Sequence, residues 1–309
     1  MKTSRGSLIL GFLCIYVVWG STYLAIRIGV STIPPFIMGG TRFIVAGSAL
    51  YIWSRVRGGV KPDREQWKNA LIVGALLLLI GNGAVSWAEQ RVSSGMTSML
   101  VATVPLWLVL VEVWNGRRPA LLQWMGVAVG LVGVGLLVIP VGSASNSSNT
   151  INPIGAAVLM LGSLSWTVGS LFSRTARLAT PGSMASGMQM LCGGALMLSL
   201  SVVSGEWNHF QMADVTTSSM LALLYLVVFG SIIGFSTYMW LLSVASPAAV
   251  GTYAYVNPVV AVLLGVIIGH ESLPARAGLA MLVIVASVAL VSLAPFLRWR
   301  GPSSLDEAA

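Results

Sequence analysis

The sequence is poor in charge. Only 8% of its 309 residues are Asp, Glu, Lys or Arg, whereas 56% are hydrophobic. A soluble domain carries charge at about a quarter of its positions, because these residues form its surface toward water. The shortage excludes an ordinary water-soluble domain and indicates a protein whose outer surface contacts lipid.

Cysteine and histidine are also scarce, with two residues of each. Cys14 and Cys192 lie within apolar runs, so the sequence predicts neither a disulfide framework nor a metal site. It contains no Gly-x-x-x-x-Gly-Lys motif, which argues against ATP hydrolysis. A membrane-embedded enzyme would need clustered acids, histidines or metal ligands at membrane depth. We therefore predict that the protein is not an enzyme and uses no cofactor.

Acidic residues are absent from the centres of the apolar runs. Glu89, Glu112 and Glu271 lie near the ends of these runs. A proton- or cation-coupled antiporter normally carries an acid at mid-membrane. The sequence therefore favours facilitated movement of a solute down its gradient, with Glu89, beside the predicted external mouth, left open as a coupling residue.

Ten apolar runs follow one another along the chain, each close to the roughly 20 residues that a membrane-spanning helix needs. The predicted spans are 8–29, 35–56, 69–88, 93–114, 121–140, 153–174, 183–204, 216–240, 247–268 and 275–297. The first run follows Lys2 and Arg5, but it is longer than the apolar part of a signal peptide and is interpreted as an uncleaved helix. The predicted fold class is an all-α polytopic membrane protein.

Positive charge is distributed unevenly between alternate connectors. Thirteen of the 17 lysines and arginines fall in one set of connectors and three in the other, while Arg42 lies within a span. Since cytoplasmic connectors carry the positive excess, both termini are predicted to be cytoplasmic, in a bacterial inner membrane. The basic residues form no continuous face, so the net charge of +8 does not predict a nucleic-acid partner.

The chain contains an internal repeat. A shift of 147 residues superposes Trp19 on Trp166, and a shift of 153 superposes Pro105 on Pro258, with several glycines coinciding at the same offsets. Each half holds an odd number of spans, so the second half should enter the membrane from the opposite side. The expected organisation is a first five-helix repeat (1–142), an external linker (143–152), a second, inverted five-helix repeat (153–297) and a cytoplasmic tail (298–309). Inverted repeats are a recurring basis of secondary transporters that work by alternating access.

Short motifs in both halves resemble those of a known transporter family. They are Trp19-Gly20-Ser21-Thr22, Thr41-Arg42-Phe43, Pro105, Asn257-Pro258 and Gly269-His270-Glu271. Over essentially its full length the sequence resembles the EamA branch of the drug/metabolite transporter superfamily, and within it the exporters of aromatic and other neutral amino acids. The first half departs from the family's acidic ending of the fourth repeat helix, with Gly116-Arg117-Arg118 there. The resemblance implies a basket-like bundle in which helices 1–4 and 6–9 surround a central cavity, with helices 5 and 10 peripheral.

Two prolines fall at matched positions of the two halves. Pro105 and Pro258 are predicted near the middle of the fourth and ninth spans, where they free the carbonyls of Val101 and Ala254. Such interruptions point to a transport site, because a freed carbonyl in hydrocarbon needs a partner or a wet cavity. A packing kink relieved by a neighbouring Ser or Thr is the alternative.

Aromatic and polar side chains at comparable depth form the candidate substrate site. They are Trp19, Thr22, Tyr23, Asn82, Trp107, Ser163, Trp166, Gln189, Tyr238, Tyr253 and Asn257. Tryptophan and tyrosine combine an apolar ring with a polar tip, which suits a neutral and partly apolar solute. For any single aromatic residue, packing within the core is an equally good interpretation.

Arg42 also belongs to the candidate site, well inside the second span, where a charge costs roughly 2.5–3.5 kcal/mol. Its guanidinium fork would bind a substrate carboxylate. The alternative is a structural role in which it pairs with carbonyls or reaches the outer surface. We favour the structural role, because Thr-Arg-Phe recurs in the resembling family across unrelated substrates.

The sequence therefore predicts a secondary transporter of neutral or aromatic amino acids or similar small metabolites, with a small-molecule substrate and membrane lipid as its partners. The alternative is a drug or quaternary-amine exporter of the same fold, which the aromatic rings favour and the lack of a central acid disfavours. Bulky central aromatics argue against a passive channel. Gly126 and Gly130 form a Gly-x-x-x-Gly pattern that would allow a homodimer, although packing within the chain is favoured.

Overall fold

The computed structural model describes residues 5–114, 116, 119–138, 152–271 and 275–298. Within these residues the chain is helical and contains no strand. The predicted external linker and the predicted cytoplasmic tail lie almost entirely outside the described residues.

The helices, numbered α1 to α10 in chain order, follow the predicted spans. They are α1 (Arg5–Gly29), α2 (Pro35–Val56), α3 (Arg64–Ala88), α4 (Ser94–Val101 and Val104–Trp114), α5 (Leu121–Val138), α6 (Pro153–Thr175), α7 (Gly182–Val203), α8 (Thr217–Val244), α9 (Pro247–Val250 and Tyr253–Ile267) and α10 (Ala275–Arg298). Among the described residues, seven of these helices are long and apolar enough to cross a membrane, and the other three contain shorter apolar helical stretches. The predicted all-α polytopic membrane fold is therefore confirmed.

α2 and α7 cross at a contact that requires glycine. A Cβ at Gly47 would lie 2.9 Å from the carbonyl oxygen of Gly187, and a Cβ at Gly187 would lie 3.1 Å from that of Gly47. Gly40 and Gly194 approach each other in the same way, at 3.1 and 3.0 Å. Because Gly40 repeats as Gly187 and Gly47 as Gly194, each half presents the same small-residue surface to the other.

α5 and α10 pack closely against each other. Ser287 Oγ of α10 would lie 2.7 Å from a Cβ at Gly130, and Ile284 Cγ1 would lie 2.6 Å from a Cβ at Gly133. Gly130, the second glycine of the Gly-x-x-x-Gly pattern, is thus used for packing within the chain, which is the use that the sequence favoured.

The fourth and ninth spans are each broken into two helical pieces. α4 stops at Val101 and resumes at Val104, so Pro105 lies in the first turn of a helical piece rather than in the middle of a helix. This place suits proline, because the first turn of a helix does not use its backbone donors. In α9 the second piece begins at Tyr253 and continues through Pro258. The two prolines repeat in the sequence, but the two breaks do not fall at matched positions.

α3 and α8 each contain a π-helical segment, which the sequence did not predict. The segments are Gly74–Asn82 and Leu226–Phe235. Shifted by 153 residues, the first segment falls within the second. π-helical turns are rare and occur frequently at functional sites. Their presence at equivalent places in both halves therefore indicates that the residues they contact belong to a functional site.

Replacing Gly187 by leucine should disrupt the crossing of α2 and α7, because the side chain would overlap backbone atoms of Gly47 and Tyr51. Overpacking of this kind costs about 1–3 kcal/mol, so the midpoint of thermal unfolding in detergent should fall by several degrees. Gly278→Leu in α10 is the matched control, because a Cβ there would meet nothing within 4 Å. Equal midpoints for the two variants would contradict the proposed importance of the contact.

Candidate functional site

A cavity is enclosed by residues of both halves. Its walls come from α1, α2, α3 and α4 in the first half and from α6, α8 and α9 in the second. Eight of the predicted site residues line it: Trp19, Thr22, Tyr23, Arg42, Asn82, Ser163, Trp166 and Tyr253. A largely apolar cavity with a few convergent polar groups is the usual form of a small-molecule site.

Four aromatic rings form a cluster at this cavity. The ring of Trp19 lies at its centre, with centroid distances of 5.5 Å to Trp166, 4.7 Å to Tyr238 and 5.5 Å to Tyr253. The contacts with Trp166 and Tyr253 are edge-to-face, a favoured arrangement of aromatic pairs. Tyr238 does not line the cavity but supports its wall, because its hydroxyl accepts a hydrogen bond from Trp166 Nε1 at 2.9 Å and is bonded to Ser170 Oγ at 2.7 Å.

The π-helical segments hold the two tryptophans through glycines. A Cβ at Gly81 in α3 would lie 2.9 Å from Cε3 of Trp166, and a Cβ at Gly234 in α8 would lie 2.5 Å from Nε1 of Trp19. Gly81 repeats as Gly234 and Trp19 repeats as Trp166. Each tryptophan therefore packs on the π-helical segment of the other half, in the same way.

Arg42 reaches the cavity from α2 and is 3% exposed. Its Nε donates to Ser231 Oγ at 2.7 Å, and its guanidinium carbon lies 4.8 Å from the centroid of the Phe43 ring. Gly230 leaves room for it, because a Cβ there would lie 2.7 Å from Nη2. Nη1 is buried and has no hydrogen-bond partner among the described residues. This donor is available to an acceptor that enters the cavity, and leaving it unpaired costs free energy.

Two further polar atoms of the lining lack partners within the described part of the chain. They are Asn82 Oδ1, at the end of the π-helical segment of α3, and Ser163 Oγ in α6. The hydroxyl of Thr22, by contrast, donates to the carbonyl of Trp19 at 2.7 Å and is satisfied within α1. Buried polar groups in proteins are nearly always hydrogen-bonded, so these atoms of the lining are open to partners that the described residues do not supply.

Four predicted site residues do not line this cavity: Trp107, Gln189, Tyr238 and Asn257. With its amide oriented to donate, Asn257 bonds to the carbonyls of Tyr16 at 3.0 Å and Tyr253 at 3.3 Å, so it ties α9 to α1. Gln189 is fully buried in α7 beside the backbone of Gly74, and neither of its amide atoms has a described partner.

The prolines contribute to the site only indirectly. Pro105 and Pro258 are buried within the protein, and neither lines the cavity. Val101, the last residue of the first piece of α4, does line it. The sequence analysis missed Gly230, which makes space for Arg42, and Phe43, which stacks on it. Nothing in the sequence distinguishes Gly230 from the other glycines, whereas Phe43 directly follows Arg42 in the Thr41-Arg42-Phe43 motif.

Comparison with known proteins finds the same family in both halves. The chain matches the EamA-like transporter family over residues 6–139 and 153–293. It is 42% identical over 285 residues to the "Uncharacterized inner membrane transporter YedA" of Escherichia coli strain K12, covering 92% of this chain and 90% of that protein. It is 23% identical over 294 residues to the "Uncharacterized transporter YvbV" of Bacillus subtilis strain 168, covering 94% and 93%. A crystal structure with 21% sequence identity shares the fold, with a TM-score of 0.66 over 94% of this chain and 98% of the other.

The family match spans nearly all of the described helices and occurs once in each repeat. The family and these relatives are named as transporters, in agreement with the prediction that the protein is not an enzyme. The resemblance to the EamA family is confirmed, and the chain belongs to the EamA-like transporter family.

Proposed function

We propose that the protein exports neutral or aromatic amino acids, or similar small metabolites, by alternating access. The observation that carries this proposal is the presence of an unpartnered donor and an unpartnered acceptor on one aromatic cavity. Arg42 Nη1 is the donor, and Asn82 Oδ1 is the acceptor. An amino-acid zwitterion carries the complementary pair, a carboxylate and an ammonium group.

Each part of such a solute has a counterpart in the lining. The carboxylate accepts a charge-assisted hydrogen bond from Arg42, which is stronger than one between neutral groups. The ammonium group donates to Asn82 Oδ1. An aromatic or other apolar side chain packs on the rings of Trp19 and Trp166, which present apolar faces. We therefore assign Arg42 a role in binding as well as its structural bond to Ser231.

We further propose that the halves at 1–142 and 153–297 are inverted repeats that move against each other. Their odd number of spans requires the inversion. The mutual contacts of Gly47 with Gly187, and of each tryptophan with the opposite π-helical segment, support a two-fold relation between the halves. Because both halves supply cavity walls, rocking one against the other would open the site to either side.

The proposed location is the bacterial inner membrane, with both termini in the cytoplasm. The uneven distribution of lysine and arginine between connectors supports this orientation. The Escherichia coli relative is named as an inner membrane transporter. In this orientation the connector between α3 and α4 faces the outside.

A drug or quaternary-amine exporter is the second candidate, and the four-ring cluster is the observation that favours it. Aromatic faces attract cations. The described cavity lining contains the cationic Arg42 and no acidic residue, however. A permanent cation without a carboxylate would therefore be repelled, whereas an amino acid places its carboxylate at Arg42.

Arg42→Gln tests whether the cavity recognises the carboxylate of the solute. Loss of a hydrogen bond to a charged group costs about 1.5–3 kcal/mol, so Arg42→Gln should raise the half-saturating concentration of L-tryptophan about 10- to 100-fold. The measurement is efflux of labelled L-tryptophan from proteoliposomes, with L-tryptophanamide, which lacks the carboxylate, as competitor. The amide should compete poorly in the wild type and nearly as well as L-tryptophan in Arg42→Gln.

Ser231→Ala is the matched control, because it removes the partner of Arg42 Nε but keeps the charge. It should retain the preference for the carboxylate. An unchanged preference in Arg42→Gln would refute the assignment of Arg42, and absence of transport for every neutral amino acid in the wild type would refute the proposed substrate class.

Trp166→Leu tests whether the aromatic wall contacts the solute. Trp166→Leu should shift selectivity from L-tryptophan toward L-leucine by about 2- to 10-fold, since one aromatic pair contributes about 0.5–1.5 kcal/mol beyond its buried area. Competition between the two amino acids in the same proteoliposomes measures this ratio. Trp107→Leu is the control, because Trp107 does not line the cavity, and its ratio should stay at the wild-type value. Equal ratios for all three proteins would argue that the wall does not contact substrate.

A further inference from the structure

A carboxyl group is buried at the end of α3. Glu89 directly follows the last residue of this helix and is 0% exposed. Neither of its carboxylate oxygens has a hydrogen-bond partner among the residues that the structure describes. Burial without partners disfavours the charged form of a carboxyl group, so a group in this position readily binds a proton.

The groups that face Glu89 come from α1 and from the connector between α9 and α10. Arg27 of α1 donates through Nη1 to the backbone carbonyl of Glu89, and its charge acts on the carboxyl group. The negative charge of Glu271, in the connector, also acts on the carboxyl group of Glu89. The carboxylate of Glu271 accepts hydrogen bonds from the backbone N–H and the hydroxyl of Ser94, at 3.0 and 2.9 Å. Tyr23 of α1 lies close enough for the charge of Glu89 to act on its phenol.

These surroundings favour the protonated form. Burial raises the pKa of Glu89 well above the ordinary carboxyl value and the negative charge of Glu271 raises it further, whereas Arg27 opposes the rise. The proton is therefore retained to a higher pH than on an exposed glutamate, and it leaves as the pH rises through the raised pKa. Entry of water beside the carboxyl group would also release the proton, because hydration removes the cost of the charge.

A line of unpartnered polar atoms leads from Glu89 to the cavity. Asn82, Ser86 and Glu89 are four and three residues apart, so they share one face of α3 and span about 10 Å along it. Ser86 is 0% exposed, and its Oγ, like Asn82 Oδ1, has no described partner. Because Asn82 and Val85 line the cavity, this part of α3 connects the carboxyl group with the substrate site.

We propose that Glu89 binds and releases the proton that drives export, so that the protein is a proton–solute antiporter rather than a facilitator. This inference rests on the proposed function and adds its source of energy. In each cycle the carboxylate takes one proton from the external solution to form an O–H bond. It releases that proton to the cytoplasm after the halves reorient, while one solute moves outward, and no other bond forms or breaks.

The coupling between proton and solute is electrostatic. A charged Glu89 attracts the ammonium group of a solute at Asn82 along the shared face of α3, and protonation removes this attraction. For two unit charges about 10 Å apart in a protein, the change in affinity is on the order of tenfold. A proton arriving from outside therefore promotes release of the solute, which is the order of events that export requires.

The test uses the purified full-length protein in proteoliposomes with an acidic interior, labelled L-tryptophan outside and the membrane potential held at zero. The wild type should accumulate L-tryptophan as protons leave, up to about tenfold for a gradient of one pH unit. Glu89→Gln should not accumulate it, yet should still exchange external for internal L-tryptophan when both are saturating and no gradient is present. Glu206→Gln is the control, because Glu206 lies outside the spans and bonds to the backbone of Phe36 and Ile37, and it should accumulate like the wild type.

A measurement without substrate separates this inference from the proposed function. Infrared difference spectra of the purified protein between acidic and alkaline pH should show a protonated carboxyl band that titrates above the ordinary carboxyl range. Burial also raises the pKa of Glu206, so Glu89→Gln should lose the part of the band that titrates at the higher pH, and Glu206→Gln should keep that part. Accumulation by Glu89→Gln, or an unaltered band in that variant, would overturn the inference. A wild type that shows the Glu89 band but exchanges no amino acid would confirm the proton site and refute the substrate class instead.

Discussion

The burial of the Arg42 guanidinium is the constraint on which the rest of the site depends. Within the bilayer a polar group without a partner costs several kcal/mol by order of magnitude, and Ser231 satisfies only the Nε of Arg42. Gly230 leaves space for the guanidinium. Gly230 and Ser231 both lie in the π-helical segment of α8. A binding site needs polar groups that stay unsatisfied until the ligand arrives, and Nη1 of Arg42 is in that condition.

The two halves share their packing but differ in their polar chemistry. The glycines and tryptophans that shape the cavity recur in both halves and make equivalent contacts. The polar residues do not recur, because Arg42 repeats as Gln189, which is outside the lining, and Asn82 repeats as Phe235, which lines the cavity. The repeated features give the two halves similar surfaces at the cavity. The unrepeated features make the lining asymmetric, because its unpartnered donor Arg42 and its unpartnered acceptor Asn82 both come from the first half.

Much of this fold could be predicted from the sequence, because lipid imposes a length and a composition on every span. The spans can be predicted from long apolar runs alone, and the repeat from the recurrence of rare residues such as Trp19 and Trp166. Membrane depth could be estimated from position along a span, and eight of the twelve candidate site residues line one cavity. Which way a side chain faces is harder, since one residue along a helix changes direction by about 100°. Trp107 and Gln189 have a similar predicted depth to Trp19 but face elsewhere. The π-helical segments change the direction of the side chains that follow them. The composition of Gly74–Asn82 does not distinguish it from an ordinary apolar helix.

The most direct test of the central claim is an experimental structure of the protein with L-tryptophan bound. If the claim holds, the carboxylate should lie within about 3 Å of Arg42 Nη1, the ammonium group at Asn82 Oδ1 and the indole against Trp19 and Trp166. A carboxylate bound away from Arg42, or a solute held outside the cavity between the two halves, would contradict it.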